Sequence, residues 1–157
     1  MLHYCPLEAL EALEELEALM RIDHIAIYVR DLEASKAYYE KYFGGKSNTQ
    51  YHNSKTGLKT YFISFEGGCR LEIMAKPDIQ AAVTSEVIEY IGYTHLAFSL
   101  RDRESVDSLT NLLRDDGYAV FSGPRVTGDG YYESCVSDPD GNRVEIVGDG
   151  GPEAGSR

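Results

Sequence analysis

The chain has 157 residues, enough for one ordinary domain with its own hydrophobic core. Its 26 acidic and 15 basic residues give a net charge of -11, which opposes binding to nucleic acid or to an anionic membrane. No apolar run is long enough to span a bilayer, no signal-peptide pattern begins the chain, and the 3 cysteines form no disulfide framework. We therefore expect a cytoplasmic globular protein.

The two ends of the chain differ in composition from its body. Residues 7–19 read LEALEALEELEAL, which combines strong helix formers with five glutamates and no basic residue. The leucines recur every three residues, so they drift around a helix and form no fixed apolar stripe. We interpret residues 1–19 as a leader helix, loosely attached or non-native, with a docking or dimer-forming helix as the alternative. The Gly-rich residues 149–157 are predicted to be a flexible tail.

The body of the chain contains the same pattern twice. Residues 22–29 (IDHIAIYV) and 93–100 (YTHLAFSL) alternate in polarity as strands do. Each run is followed by Arg-Asp and a helical segment, and the two copies end alike, with RLEI at 70–73 and RVEI at 143–146. Each copy therefore reads strand, helix and then several strands.

The predicted helices cover residues 32–42 and 104–115, with Asp31 and Asp102 as their N-terminal caps. The further strands are predicted at residues 48–53, 59–65 and 69–75, and at 118–121, 131–137 and 142–147. These elements predict an α+β fold for a single domain over residues 20–148. Its two modules cover residues 20–76 and 93–148, and residues 77–92 connect them.

Strand alternation puts four polar residues at matching positions. His24 and His95 lie on the strand faces opposite their apolar neighbours, and Glu72 and Glu145 do the same in the closing strands. A single strand histidine is more often structural than a ligand, and a strand glutamate is usually solvated. The repetition of both in each copy favours a function. If the sheets curl around a common axis, two imidazoles and two carboxylates would converge as ligands for a divalent metal.

Three segments carry a family resemblance: residues 23–32 (DHIAIYVRDL), residues 94–98 (THLAF) and residues 138–146 (DPDGNRVEI). Together with Tyr38-Tyr39 and Phe43-Gly44, they resemble the vicinal oxygen chelate superfamily. This superfamily includes glyoxalase I, bleomycin-resistance proteins and extradiol dioxygenases. The resemblance covers roughly residues 20–148 and implies two βαβββ modules that form a curled mixed sheet around a divalent metal.

The chain resembles bacterial-type glyoxalase I, whose ligands His, Glu, His, Glu match His24, Glu72, His95 and Glu145 in order. The resemblance implies a lactoylglutathione lyase type of reaction, in which a 2-oxoaldehyde–thiol adduct isomerises through an enediolate. Glu145 and Glu72 are then also the catalytic candidates, as general base and acid. Nickel, zinc or cobalt fit this ligand set, and iron or manganese are compatible with it. A homodimer that acts on a small molecule is also implied, with each site built from one chain or from two.

Two other functions on the same scaffold stay open. One is an Fe(II) extradiol-type dioxygenase, which uses two histidines and one carboxylate. The other is a non-catalytic small-molecule or drug-binding resistance protein, although those relatives lack the metal ligands.

The substrate contacts are less closely defined by the sequence. Arg70 and Arg143 alternate in step with the glutamates, so each could bind an anionic substrate or pair with a surface carboxylate. Tyr28 shares the face of His24 and is a third substrate-binding candidate. Glyoxalase I enzymes commonly carry an arginine for glutathione shortly after the first histidine. Residues 26–28 read Ala-Ile-Tyr here, so glutathione is not specified.

Overall fold

The computed structural model describes residues 22–79, 93–128 and 130–148. The predicted leader helix, most of the connector and the predicted tail lie outside these residues. Within them, neither helix is long and apolar enough to cross a membrane. The first module contains β1 (His24–Tyr28), α1 (Leu32–Phe43), β2 (Lys46–Ser47), β3 (Tyr51–His52), β4 (Lys59–Ser64) and β5 (Arg70–Ala75). The second contains β6 (His95–Leu100), α2 (Arg103–Asp115), β7 (Val120–Val126), β8 (Tyr132–Ser137) and β9 (Arg143–Gly148).

The strands form two mixed sheets, one for each module, and this confirms the predicted α+β class. The first sheet has the order β1-β5-β4-β2, with β3 paired to β4, and the second has the order β6-β9-β8-β7. In both sheets the first strand pairs in parallel with the last, which places Ala26 opposite Glu72 and Ala97 opposite Glu145. The two modules therefore hold their histidine and glutamate strands side by side in the same register.

The two helices begin within one residue of their predicted starts, at Leu32 and Arg103. The Asp31 carboxylate accepts hydrogen bonds from the backbone N–H groups of Glu33 and Ala34, and the Asp102 carboxylate accepts one from Ser105. These carboxylates satisfy N–H groups that have no partner inside the helix. The first helix ends at Gly44, whose φ of 64° lies in the left-handed region that glycine adopts without a steric penalty.

The cap of α2 provides a prediction about pH. Hydrogen bonds from the hydroxyl and backbone N–H of Ser105, followed by one from Arg101, lower the pKa of Asp102 from 3.8 to about 2. Because the folded state lowers this pKa, the carboxylate stabilises the fold above about pH 4, and that contribution is lost as the pH falls toward 2. We expect Ser105→Ala to raise the pKa of Asp102 toward 3.8, and to raise it further than Arg101→Gln does. An NMR titration of the Asp102 carboxyl carbon measures this, and an unchanged pKa in Ser105→Ala would contradict it.

One hydrophobic core joins the two modules. The apolar faces of both sheets contribute to it, through Ile63, Leu71 and Ile73 from the first and Val136, Val144 and Ile146 from the second. The helix α1 lies in the same core, where Tyr38 and Tyr39 are buried and the Phe43 ring centroid is 4.3 Å from that of Phe98 on β6. The opposite sheet faces, which carry His24 and His95, therefore point away from this core.

Polar contacts with the turn after β8 fix the modules against each other. The Tyr38 hydroxyl donates to the backbone carbonyl of Ser137 at 2.9 Å, and the Tyr39 hydroxyl donates to the Asp138 carboxylate at 3.2 Å. Asp138 is only 2 % exposed, and it also accepts the backbone N–H groups of Asp140 and Asn142. The same carboxylate thus closes the turn and binds α1 of the other module.

Removing the Tyr39 hydroxyl is expected to destabilise this contact between the modules. Tyr39→Phe takes one donor from a buried carboxylate, and hydrogen bonds to charged groups are worth about 1.5–3 kcal/mol. We expect a loss of that size in the free energy of unfolding, measured by chemical denaturation. Tyr132→Phe is the matched control, because its hydroxyl donates to Asp107 at 2.6 Å in a half-buried position. An equal loss in both variants would show that burial of the Asp138 carboxylate is not the cause.

Candidate metal centre

The second module holds an imidazole beside a carboxylate on its outward face. His95 on β6 and Glu145 on β9 approach to 3.2 Å between Nε2 and Oε2, and their side chains are 38 % and 22 % exposed. The other ring nitrogen of His95, Nδ1, is 2.9 Å from the Thr94 hydroxyl oxygen. The imidazole is therefore held at one nitrogen and presents the other to Glu145.

The first module repeats this arrangement. His24 Nε2 lies 3.8 Å from Glu72 Oε2, and His24 Nδ1 lies 2.9 Å from the Asp23 carboxylate. The ring of Phe62 contacts the His24 imidazole edge to face, with centroids 5.2 Å apart. The residue directly before each histidine thus orients the ring, a role for Asp23 and Thr94 that the sequence predictions missed. The signal available in the sequence was their position directly before each histidine, in Asp23-His24 and Thr94-His95.

The chemistry of each pair fits a shared cation. A carboxylate at Nδ1 of His24 favours the tautomer with its proton there, which leaves a lone pair on Nε2 facing Glu72. Two acceptors at this distance are stabilised by a cation between them, either a proton or a metal ion. Two ligand atoms about 2.1 Å from one metal ion, at angles from square to tetrahedral, lie about 3.0–3.4 Å apart. The 3.2 Å separation of His95 and Glu145 fits this range, whereas the 3.8 Å separation of His24 and Glu72 lies outside it.

The structure brings His24 to Glu72 and His95 to Glu145, but it does not bring the two pairs together. Across the described ranges, no three His, Cys, Asp or Glu side chains form a group that could hold a metal ion. Because both pairs lie on faces turned away from the shared core, one chain presents two half sets of ligands. The four-ligand site remains a prediction.

The three predicted substrate contacts differ in their surroundings. Tyr28 is 43 % exposed at the end of β1, with the Lys76 Nζ 5.8 Å from its ring centroid. The Arg70 guanidinium donates to the Asp23 carboxylate and lies 4.5 Å from the centroid of the Phe62 ring. Hydrogen bonds from His24 and from Arg70 lower the pKa of Asp23 from 3.8 to about 2. Arg70 is thus engaged in an ion pair, one of the two roles expected for it.

Arg143 is exposed on β9, and its guanidinium lies 5.1 Å from the centroid of the Phe121 ring. A cleft of about 370 Å³ opens there, lined by Ala119, Val120, Phe121 and Arg143. Phe121 was not predicted as a site residue. A larger depression of about 520 Å³ lies between α2 and Tyr42, and none of the predicted site residues lines it.

The fold and the site define a class of protein built from two modules, each with a strand, a helix and a run of antiparallel strands, and each with a His–Glu pair on its outward sheet face. The family described as the Glyoxalase/Bleomycin resistance protein/Dioxygenase superfamily matches residues 21–146. The chain belongs to this superfamily, and the resemblance of its motifs is confirmed.

Individual relatives agree with this assignment. Protein YqjT of Bacillus subtilis is 28% identical over 132 residues, which are 79% of this chain and 95% of that protein. A trypanothione-dependent glyoxalase I of Leishmania major has a TM-score of 0.65 and 21% identity, over 82% of this chain and 86% of that one. A glyoxalase family protein of Enterococcus faecalis has a TM-score of 0.67 and 24% identity, over 83% and 98% of the two chains. A lactoylglutathione lyase of Agrobacterium tumefaciens has a TM-score of 0.58 and 22% identity, over 82% and 93%. At these identities the solved structures establish the fold alone.

Proposed function

We propose that the protein is a metal-dependent lyase of the glyoxalase I type, which isomerises the adduct of a 2-oxoaldehyde and a thiol. The observation that carries this proposal is the repeated pair in which an imidazole Nε2 faces a carboxylate. In both modules Nδ1 is held by a neighbouring oxygen, at 2.9 Å in each case. Metal-binding histidines are typically oriented in this way by a partner at the other ring nitrogen. The proposal includes a cytoplasmic location and a small-molecule substrate.

We also propose that two chains share each site in a homodimer. His24 and His95 are 39 % and 38 % exposed, and they lie on sheet faces that point away from the common core. A second copy that places its β6 and β9 opposite β1 and β5 would bring together four ligands. Twofold symmetry would then generate two equal sites. The proposal thus explains why one chain carries two separate His–Glu pairs, since a second chain would complete each set of four ligands.

In this proposal the histidines bind the metal ion and the glutamates transfer the proton. His24 and His95 would hold a nickel, zinc or cobalt ion through Nε2, and Asp23 and Thr94 would fix the two rings. Such an ion supplies a Lewis acid that stabilises negative charge on substrate oxygens. Glu145, 22 % exposed, is the proposed general base, and Glu72, 16 % exposed, is the other candidate.

The proton transfer conserves atoms and electrons. The carboxylate takes the proton from the carbon that carries sulfur and returns it to the adjacent carbonyl carbon. The hydroxyl proton of the first carbon passes to the oxygen of the second. The first carbon thereby becomes a thioester and the second an alcohol, so the reaction needs no oxidant.

Metal analysis combined with a thioester assay tests the proposal. We expect the purified protein to bind one divalent ion per chain and to convert methylglyoxal with a thiol, in an assay over several thiols that include glutathione. Chelation should abolish thioester formation, and added nickel or zinc should restore it. Stoichiometric metal without turnover of any thiol adduct would contradict the lyase. Oxygen uptake with catechols would instead favour the Fe(II) dioxygenase.

A further inference from the structure

In each module an arginine precedes the glutamate of the His–Glu pair by two positions, and the two arginines have different surroundings. In the first module the Asp23 carboxylate neutralises Arg70. The equivalent residue in the second module is Thr94, whose hydroxyl contacts His95 and carries no charge. The two arginines therefore occupy equivalent positions, but Arg70 is paired with a carboxylate and Arg143 lacks the equivalent one.

Arg143 has no ion-pair partner within the described part of the chain. Its neighbours are the Phe121 ring and the thiol of Cys135, which lies opposite Glu145 in the paired strands. Burial raises the pKa of the Cys135 thiol, so this neighbour is neutral and offers no compensating charge. An exposed guanidinium without a carboxylate partner can bind an external one through two parallel hydrogen bonds.

The surroundings of Arg143 have the form of a small-molecule subsite. The cleft of about 370 Å³ places its cationic group beside the Phe121 ring, and Ala119 and Val120 complete its lining. Pockets of this kind use apolar walls for contact area and a few polar groups for orientation. Arg143 and Glu145 share one strand face two residues apart, so a ligand in this cleft would lie beside the His95–Glu145 pair.

We propose that Arg143 and Phe121 form a carboxylate-binding subsite beside Glu145, and that Arg70 has no such role. The ligand is a small organic acid whose carboxylate pairs with the guanidinium while its apolar part contacts the Phe121 ring. This inference deepens the proposed function, on which it rests for the reaction, by assigning an anionic group to the substrate. Binding of the acid itself requires neither metal nor turnover.

Benzoate and its neutral analogue benzamide test the subsite in the metal-free protein. We expect benzoate to shift the NMR signal of the Arg143 Nε–H group saturably and benzamide to leave it unchanged. Arg143→Gln should weaken benzoate binding at least tenfold, because charge-assisted hydrogen bonds are lost. Arg143→Lys, which keeps the charge but loses the planar fork, should give an intermediate affinity.

Two matched variants carry the same change of charge elsewhere. Arg70→Gln removes the compensated arginine, and Arg114→Gln removes an exposed one at the end of α2. Both are expected to keep the affinity for benzoate within twofold. Equal weakening by Arg70→Gln, unchanged binding in Arg143→Gln, or equal binding of benzamide would each overturn the subsite. Backbone amide spectra of every variant establish that the fold is intact.

The reaction supplies an independent measurement. The methylglyoxal adduct of 3-mercaptopropionate, which has a carboxylate, should be a better substrate than that of 2-mercaptoethanol, and Arg143→Gln should remove the difference. Benzoate binding without turnover of any thiol adduct would leave the subsite standing and remove the proposed lyase. Turnover with no preference for the acid and no benzoate binding would do the reverse.

Discussion

Replacing His95 by alanine is expected to weaken binding of Ni²⁺ or Zn²⁺ by more than about 100-fold, because even the groups that orient a ligand are worth about 10–100-fold in metal affinity. The variant removes the imidazole whose Nε2 lies 3.2 Å from Glu145. Metal-dependent turnover should be lost with it. Calorimetric titration of the metal-free protein measures affinity and stoichiometry together. His52→Ala is the matched control, since His52 is exposed on β3 and belongs to neither His–Glu pair.

The stoichiometry in this titration separates two arrangements. If His24 and His95 bind one ion in a shared site, either alanine variant should lose the whole binding event. If each pair binds its own ion, the wild type should take up two ions per chain, and each variant should lose one of them. Binding by His95→Ala that equals the wild type in affinity and stoichiometry would remove His95 from the ligand set.

Much of the site geometry follows from strand alternation, which depends only on local sequence. The period of two places His24 opposite Ile25 and Ile27, and it places Glu72 opposite Leu71 and Ile73. The observed burial of these strands alternates in the same way. Alternation breaks down in β7, where the pairing with β8 shifts register on both sides of Ser122. The predicted strand at residues 118–121 therefore begins too early and ends too early, and Phe121 could not be assigned to a face.

The arrangement of the modules depends on contacts that no local pattern contains. Tyr38 and Tyr39 reach Ser137 and Asp138, about a hundred positions further along the chain, through buried hydroxyl groups. The closing motif predicted the family, but its role as the contact between modules follows only from the fold. For the same reason the sequence left open whether one chain or two would complete a site.

The different roles of the two arginines also required the structure. Arg70 and Arg143 occupy equivalent places in strands that read RLEI and RVEI, so the strand pattern treats them alike. One residue distinguishes them, the aspartate or threonine directly before the histidine that begins the neighbouring strand. Asp23 reaches Arg70 because β1 and β5 are parallel neighbours. A sequence repeat therefore predicts equivalent positions without predicting equivalent charge.

Co-expression of His24→Ala and His95→Ala chains is expected to restore activity that neither variant has alone. If each site combines the first module of one chain with the second module of the other, a mixed dimer contains one site with both defects and one with none. Random pairing makes half of the dimers mixed, so about a quarter of the wild-type sites should be recovered. Differently tagged chains allow the mixed dimer to be purified, and its activity and bound metal should then be half those of the wild type.

The matched control pairs two defects within the same module, His24→Ala with Glu72→Gln. Each site of that mixed dimer contains one defective first module, so shared sites predict no recovery. Sites built within one chain predict no recovery for either mixture, because every chain then carries its own defect. Recovery of activity only in the mixture of His24→Ala and His95→Ala chains would thus agree with the outward orientation of the two His–Glu faces. An inactive mixed dimer that forms normally would instead require each chain to rearrange its modules before it could bind metal through all four residues.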